Sequence, residues 1–233
     1  MVHKMQPDRP VKGAVTTRFP VPNPAVFVRE IVVACADYDP TRVLEGLDLA
    51  VDALSLGACF DEVLFPAMRE IGLLWQYGRL DLEAERLSSE AVRGWLEVLA
   101  LQAPEPTDAA PLILACGPAD QHSIGLEALG VLLRHQRRRC RVLGSRTSVQ
   151  ALTTAVQANR PSGVVIASHL TANRLSATQA LRAAAAMGPE MFYAGHAFAS
   201  VRLRRHVPGT HLDMTLQAAC ALILGSPNSS STD

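Results

Sequence analysis

The chain has no excess of charge of either sign: Lys+Arg and Asp+Glu stand at 22 each, and the formal net charge is zero. That balance argues against a large basic surface given over to nucleic acid, so no direct DNA binding by this chain alone is expected and any contact would have to be local. Long hydrophobic runs are missing too. Met5 to Pro24 is broken repeatedly by charge and proline, unlike the apolar core of a signal peptide. Ala218 to Leu224, the longest apolar stretch near the carboxyl end, is far too short to cross a bilayer. A cytoplasmic protein without a membrane partner is expected. Cys-x-x-Cys pairs are absent as well: Cys35, Cys59, Cys116, Cys140 and Cys220 are odd in number, widely spaced and mostly in apolar surroundings. They read as buried small hydrophobes rather than disulfides or zinc ligands. His169, His196, His206 and His211 likewise lack the close spacing of zinc sites.

What is present is a chain of 233 residues, 48% hydrophobic, enough for the cores of two modest domains. Residues 1–23 carry four prolines without periodicity and read as a disordered tail, as do 227–233. Over 24–101 apolar residues recur at helical spacing in four segments, which predicts a four-helix bundle. Gln102 to Asp108 has linker composition, placing a linker over 102–110. From 111 to 226 short apolar runs near 111–116, 139–143, 163–168, 190–194 and 210–213 alternate with helical patterns near 124–136, 148–160, 175–187, 197–206 and 215–224. That alternation predicts an α/β domain with a five-stranded parallel sheet in flavodoxin-like order.

Asp120-Gln121-His122-Ser123-Ile124-Gly125 follows the first strand-like run and precedes a helix. A loop there lies at the carboxyl end of a strand, where open α/β sheets bind ligands. A neutral imidazole can coordinate metal through one nitrogen while a carboxylate two residues away holds the proton of the other. Gly125 leaves room beside the backbone. Ser168-His169-Leu170 follows the third strand-like run and Gly195-His196 the fourth. The first and third strands flank the expected switch point, so their loops converge on one crevice.

In that order these pieces resemble the cobalamin-binding domain of methionine synthase, corrinoid proteins, mutases and light-sensing repressors. The resemblance implies cobalamin as cofactor, as adenosylcobalamin, methylcobalamin or hydroxocobalamin. It implies His122 as the lower cobalt ligand in place of the cofactor's own base, with Asp120, Ser123, Gly125, Ser168, Leu170, Gly195 and His196 around it. The family pattern has a second glycine where His196 stands, and uses that pair to make room for the nucleotide tail.

Trp75-Gln76-Tyr77-Gly78-Arg79-Leu80, followed by Glu85-Arg86 and Ser88-Ser89, is similar to the bundle of CarH- and LitR-type repressors of the MerR class; AerR-type antirepressors also pair a helical region with this sheet domain. The resemblance implies Trp75 over the upper face of the cofactor and Gln76, Glu85 and Arg86 nearby. Arg86 and Gln76 replace histidines of that pattern, and glutamine is a poor cobalt ligand. Arg134 to Arg141 form a basic cluster suited to the helix end or to an acidic partner. About two dozen residues precede the first helix, too few for a winged helix-turn-helix. A non-enzymatic cobalamin sensor is therefore expected, acting in transcription through a partner transcription factor, with light as a signal and homo-oligomers open to it. The alternative is a corrinoid methyl-carrier subunit.

Overall fold

A computed structural model describes residues 23–107, 110–212 and 215–225. Residues 1–22 and 226–233, which hold nearly all of both expected tails, lie outside the described residues, as do 108 and 109 of the expected linker.

The amino-terminal half is helical. Helix α1 (Pro24–Ala36) starts where Asn23 caps Ala25 N and Pro24 supplies a preset φ. Helix α2 (Pro40–Ala53) repeats the device with Asp39 and Pro40. The third expected helix is subdivided: α3 (Leu56–Cys59), a π-helical turn over Phe60–Leu64, then α4 (Phe65–Gln76). Pro66 accounts for the wide turn, because its ring would clash with the carbonyl four residues back and it has no N–H to offer. Helix α5 (Leu82–Leu101) is capped by Asp81, which also accepts a bond from the Tyr38 hydroxyl in the turn after α1. Inside, the Trp95 ring packs edge-on against Phe60 and donates to Asp48 Oδ1 at 2.7 Å, so its polar end is satisfied where its body is buried.

The second half alternates β1 (Leu112–Cys116), α6 (Ile124–His135), β2 (Cys140–Gly144), α7 (Val149–Asn159), β3 (Gly163–Ala167), α8 (Arg174–Ala185), β4 (Glu190–Ala194), β5 (Thr210–His211) and α9 (Leu216–Leu224). All pairings are parallel and the order is β2-β1-β3-β4-β5, the flavodoxin-like order expected. Strand periodicity sorts the two faces. Ile113, Ala115, Val164 and Ile166 pack against α7 and α8, whereas Leu112, Leu114, Val165 and Phe192 join a core shared with α6, α9 and the bundle.

The helix expected near 197–206 is not formed. After a 3-10 turn at His196–Phe198 the chain runs through turns from Val201 to His206. Arg202 and Arg205, like charges three apart, disfavour a helix, and Pro208 closes it off. Instead Arg174 and Arg182 of α8 hold the carbonyls of Leu203 and His206.

The bundle is locked onto the sheet. Asp61 in the π-helical turn accepts from Leu216 N (2.6 Å) and Gln217 N (3.2 Å), capping α9 from the other half. His135 of α6 contacts the Leu99 carbonyl of α5 at 3.0 Å. Cys35, Cys59, Cys116 and Cys220 are buried free thiols, and Cys140 is half-buried. Burial pushes Cys59 and Cys116 up to about 12 and Cys220 up to about 11, so these three are not nucleophiles at neutral pH. Among the described residues no helix is long and apolar enough to cross a membrane.

Candidate functional site at the carboxyl edge of the sheet

Beyond β1 the chain must reverse sharply. Gly117 N donates to Ala167 O at 2.8 Å, and Ala119 takes a left-handed φ of 67°, costly for a residue with a Cβ and typical of backbone strained at a site. This reversal buries Asp120, whose side chain is 1% exposed. Its Oδ1 accepts from His122 N at 3.1 Å and lies 3.0 Å from His122 Nδ1. Its Oδ2 accepts from Ser168 Oγ (3.2 Å), His169 N (2.5 Å) and Leu170 N (3.4 Å). The Asp120 carbonyl takes Arg146 N at 2.8 Å. One residue thus ties together the loops after β1, β2 and β3. Burial pushes its carboxyl pKa up, but the bonds from His122 N, His169 N and the His122 ring outweigh it and hold the group below the usual carboxylate range.

An ionised Asp120 can only accept, so Nδ1 of His122 carries the proton and Nε2, on the opposite edge of the ring, keeps its lone pair. The side chain is 52% exposed. In its neutral form the imidazole thus has a fixed tautomer and one accessible donor nitrogen. Among the described residues no three His, Cys, Asp or Glu side chains converge to hold a metal ion. A single imidazole is the donor set present, and it suits a metal that arrives with its other ligands, as cobalt does in a corrin.

The remaining pieces gather around this pair. Ser123 is buried beneath the loop, and Ser168 is buried with its hydroxyl on Asp120. A Cβ at Gly125 would lie 3.9 Å from the Phe65 ring of α4, an ordinary contact, so the protein's own packing does not demand glycine there. Gly195 differs: at φ 102° an added Cβ would fall 2.2 Å from Ser168 O, and only glycine fits. Its requirement is internal, the close crossing of the β3 and β4 loops. His196 follows it at the start of the 3-10 turn, exposed. The rings of His122 and His169 lie 4.8 Å apart and those of His169 and His196 6.2 Å apart, forming a row across the ends of β1, β3 and β4.

Sequence reasoning passed over three residues that the fold brings to this edge. His169 occupies the unspecified position of Ser-x-Leu, and nothing in a linear pattern marks it as a neighbour of His122. Burial and then the charge of His122 lower its pKa against the opposing pull of Asp120, with Arg69 of α4 adding to the depression. Arg69 and Phe65 show that α4 overhangs the site. The cap residues are less closely engaged. Trp75 is 47% exposed at the end of α4, beside exposed Gln76. Glu85 is half-buried and accepts from Ser89 Oγ at 2.9 Å, and Arg86 is exposed. Among the described residues none of these four makes a hydrogen bond or ring contact with the Asp120 cluster.

Fold and site together define a helical cap on a doubly wound sheet, with one tautomer-fixed imidazole at the ligand-binding edge. Residues 28–100 match the B12 binding domain family, which makes the chain similar to cobalamin-binding-domain proteins. It is 35% identical over 149 residues to the HTH-type transcriptional repressor CarH of Myxococcus xanthus, an alignment covering 61% of this chain and 48% of that protein. The chain thus spans about half the length of the curated relative it matches. In fold it resembles the monomethylamine corrinoid protein of Methanosarcina barkeri, with a TM-score of 0.70 over 86% of this chain and 98% of that one, at 14% identity.

Proposed function

We infer that the chain is a cobalamin-binding regulatory protein that acts in transcriptional control through a protein partner. The observation that carries this reading is the Asp120–His122 pair, 3.0 Å between Oδ1 and Nδ1, which leaves Nε2 as a ready ligand at the switch point of the sheet. His122 would hold the cobalt from below. Asp120 would hold the proton on Nδ1 and orient the ring, Ser168 would steady Asp120, and Gly125 would give the corrin room. Bound cobalamin supplies a cobalt centre whose upper axial group can be exchanged or released by light.

Trp75, Gln76, Glu85 and Arg86 would belong to the cap over the upper face. The relationship to CarH, together with this Trp75-to-Ser89 segment, supports a sensor. Its logic is a population shift: the cofactor binds one arrangement of bundle and sheet better than another and so changes a partner surface. The signal would reach DNA through the partner, since the balanced net charge argues against a large basic surface for phosphates. Light is the proposed stimulus.

A second reading, a corrinoid methyl carrier, is favoured by the likeness in fold to the Methanosarcina protein. A mobility-shift assay at near-physiological salt and a pull-down with and without cobalamin separate the two. The sensor reading expects no specific duplex binding and a partner contact that changes with cofactor. Methyl transfer with a co-purified methyltransferase would install the carrier reading instead.

A further inference from the structure

We propose that the run of turns from Val201 to His206, which stands where a helix was expected between β4 and β5, is a docking surface for an acidic segment of a protein partner. Carboxylates of that segment pair with Arg202 and Arg205, and an apolar side chain packs on Val201. The inference rests on the partner-mediated reading and gives the partner a place and a chemistry. Zero net charge conceals a division of the chain. Between Glu127 and Asp213 the sequence has one acid, Glu190, and every other charged residue is an arginine, whereas the bundle carries the compensating acids from Glu30 to Glu105.

Several of those arginines are spent on the fold. Arg134 donates to Cys140 O and Arg138 to Ser162 Oγ, near β2. On the other side of the sheet, Arg174 and Arg182 of α8 donate to the carbonyls of Leu203 (3.5 Å) and His206 (3.1 Å), and Arg204 turns back to His211 Nδ1 at 2.7 Å. Arg202 and Arg205 are exposed, and among the described residues neither side chain makes a hydrogen bond or ion pair. The backbone that carries them is held in place. Leu203 N and Arg204 N donate to Ser200 O at 2.9 and 3.2 Å, and Val207 N donates to Arg204 O at 3.1 Å. The two guanidinium groups therefore stand on a preformed platform, which lowers the cost of ordering them on binding.

Apolar side chains adjoin them. Val201 is 73% exposed, and Leu175, next to the Arg174 that grips this run, is 67% exposed. Arginine beside apolar residues, without lysine or acid, is the composition of a protein interface. The guanidinium fork takes a carboxylate through two parallel bonds. Two uncommitted arginines suit nucleic acid poorly, because a salt slope of only about −2 corresponds to weak phosphate binding, and exposed valine and leucine gain nothing from phosphates. Charge and apolar surface together fit a carboxylate-bearing, partly apolar peptide.

The test is fluorescence anisotropy with the full chain at near-physiological salt and three fluorescein-labelled probes: a peptide of Glu-Glu-Leu repeats, an all-glutamate peptide of equal length, and a duplex DNA of arbitrary sequence. Wild type should bind the Glu-Glu-Leu peptide most tightly and the duplex least. Arg202→Glu with Arg205→Glu should weaken the Glu-Glu-Leu peptide at least about tenfold, the order of two surface ion pairs turned into repulsions, with the melting curve unchanged. Arg202→Gln with Arg205→Gln should weaken it by a smaller factor, and Val201→Ser should remove its advantage over the all-glutamate peptide. Arg137→Glu with Arg141→Glu makes the same change of charge at the β2 edge of the sheet and should matter little, because salt screens charges that far apart. Failure to bind either peptide, indifference to the changes at 201, 202 and 205, or an equal loss in the Arg137 and Arg141 pair overturns the proposal and leaves the partner-mediated reading standing. Duplex bound more tightly than both peptides, and released by Arg202→Glu with Arg205→Glu, overturns both.

Discussion

Replacing Asp120 by asparagine puts the most weight on the site's construction, because the change is nearly isosteric and its consequences are chemical. The carboxylate accepts from five donors, two on the His122 side and three on the side of Ser168, His169 and Leu170. An amide has one acceptor oxygen and one NH2. Turned toward the β3 loop, its oxygen keeps the 2.5 Å bond from His169 N and its two companions, while the NH2 meets His122 N and Nδ1. The His122 amide then loses its acceptor, and Nδ1 must become the acceptor, which moves the ring proton to Nε2. Leaving one donor unmet costs about 1–3 kcal/mol, or roughly 2–12 °C in Tm for a chain of this size. The opposite flip orphans three donors and costs more.

Asp120→Asn should therefore lower Tm within that range and abolish imidazole coordination of hydroxocobalamin in absorption spectra. The pH dependence has a definite sign. A carboxyl held below its ordinary pKa contributes stability that is fully present above the usual carboxylate range and is lost as pH falls through its depressed value. Wild type should lose stability on acidification below that range, and Asp120→Asn should show a shallower acid limb. A variant with wild-type Tm, spectrum and acid limb would refute the reasoning.

Three further outcomes follow from particular contacts. His122→Ala should lose most cobalamin or bind it without imidazole coordination, while its Tm without cofactor changes little because the ring is half exposed; equilibrium dialysis and melting curves read both. Trp75→Ala should relax discrimination between adenosyl- and methylcobalamin at a stability cost below about 1.5 kcal/mol, since the ring is 47% exposed, and unaltered selectivity would return Trp75 to a packing role. Gly195→Ala should destabilise by more than about 2 kcal/mol in urea unfolding, because a Cβ would meet the Ser168 carbonyl with the backbone at φ 102°.

Much of the architecture was legible because periodicity and punctuation agree. The four helical segments of 24–101 and the apolar runs of β1, β3 and β4 that alternate with helical patterns stand where the sequence places them. The Asp120–His122 contact was readable for a local reason: two residues apart on one loop, they have little choice of geometry. What eluded the sequence was decided by tertiary crowding. The run 197–206 has helical apolar spacing, yet arginines on α8 bind its carbonyls and hold it in turns. The unspecified residue of Ser-x-Leu is placed beside His122 only because Asp120 draws in its amide. Gly195 was expected to clear space for a cofactor, whereas the crossing of two loops already requires it. The capping of α9 by Asp61, from the π-helical turn before Pro66, likewise depends on a partner 155 residues away.

The central claim, that His122 rather than the cofactor's own base ligates cobalt, is tested most directly by electron paramagnetic resonance of the protein loaded with cobalamin, reduced to cobalt(II), and grown with 15N-histidine. A protein imidazole splits each cobalt line into a doublet, because the nitrogen bound to cobalt is then the spin-1/2 isotope. The account predicts that doublet in wild type and its disappearance in His122→Ala. A triplet in the labelled wild type, the mark of an unlabelled 14N from the cofactor's benzimidazole, would contradict it.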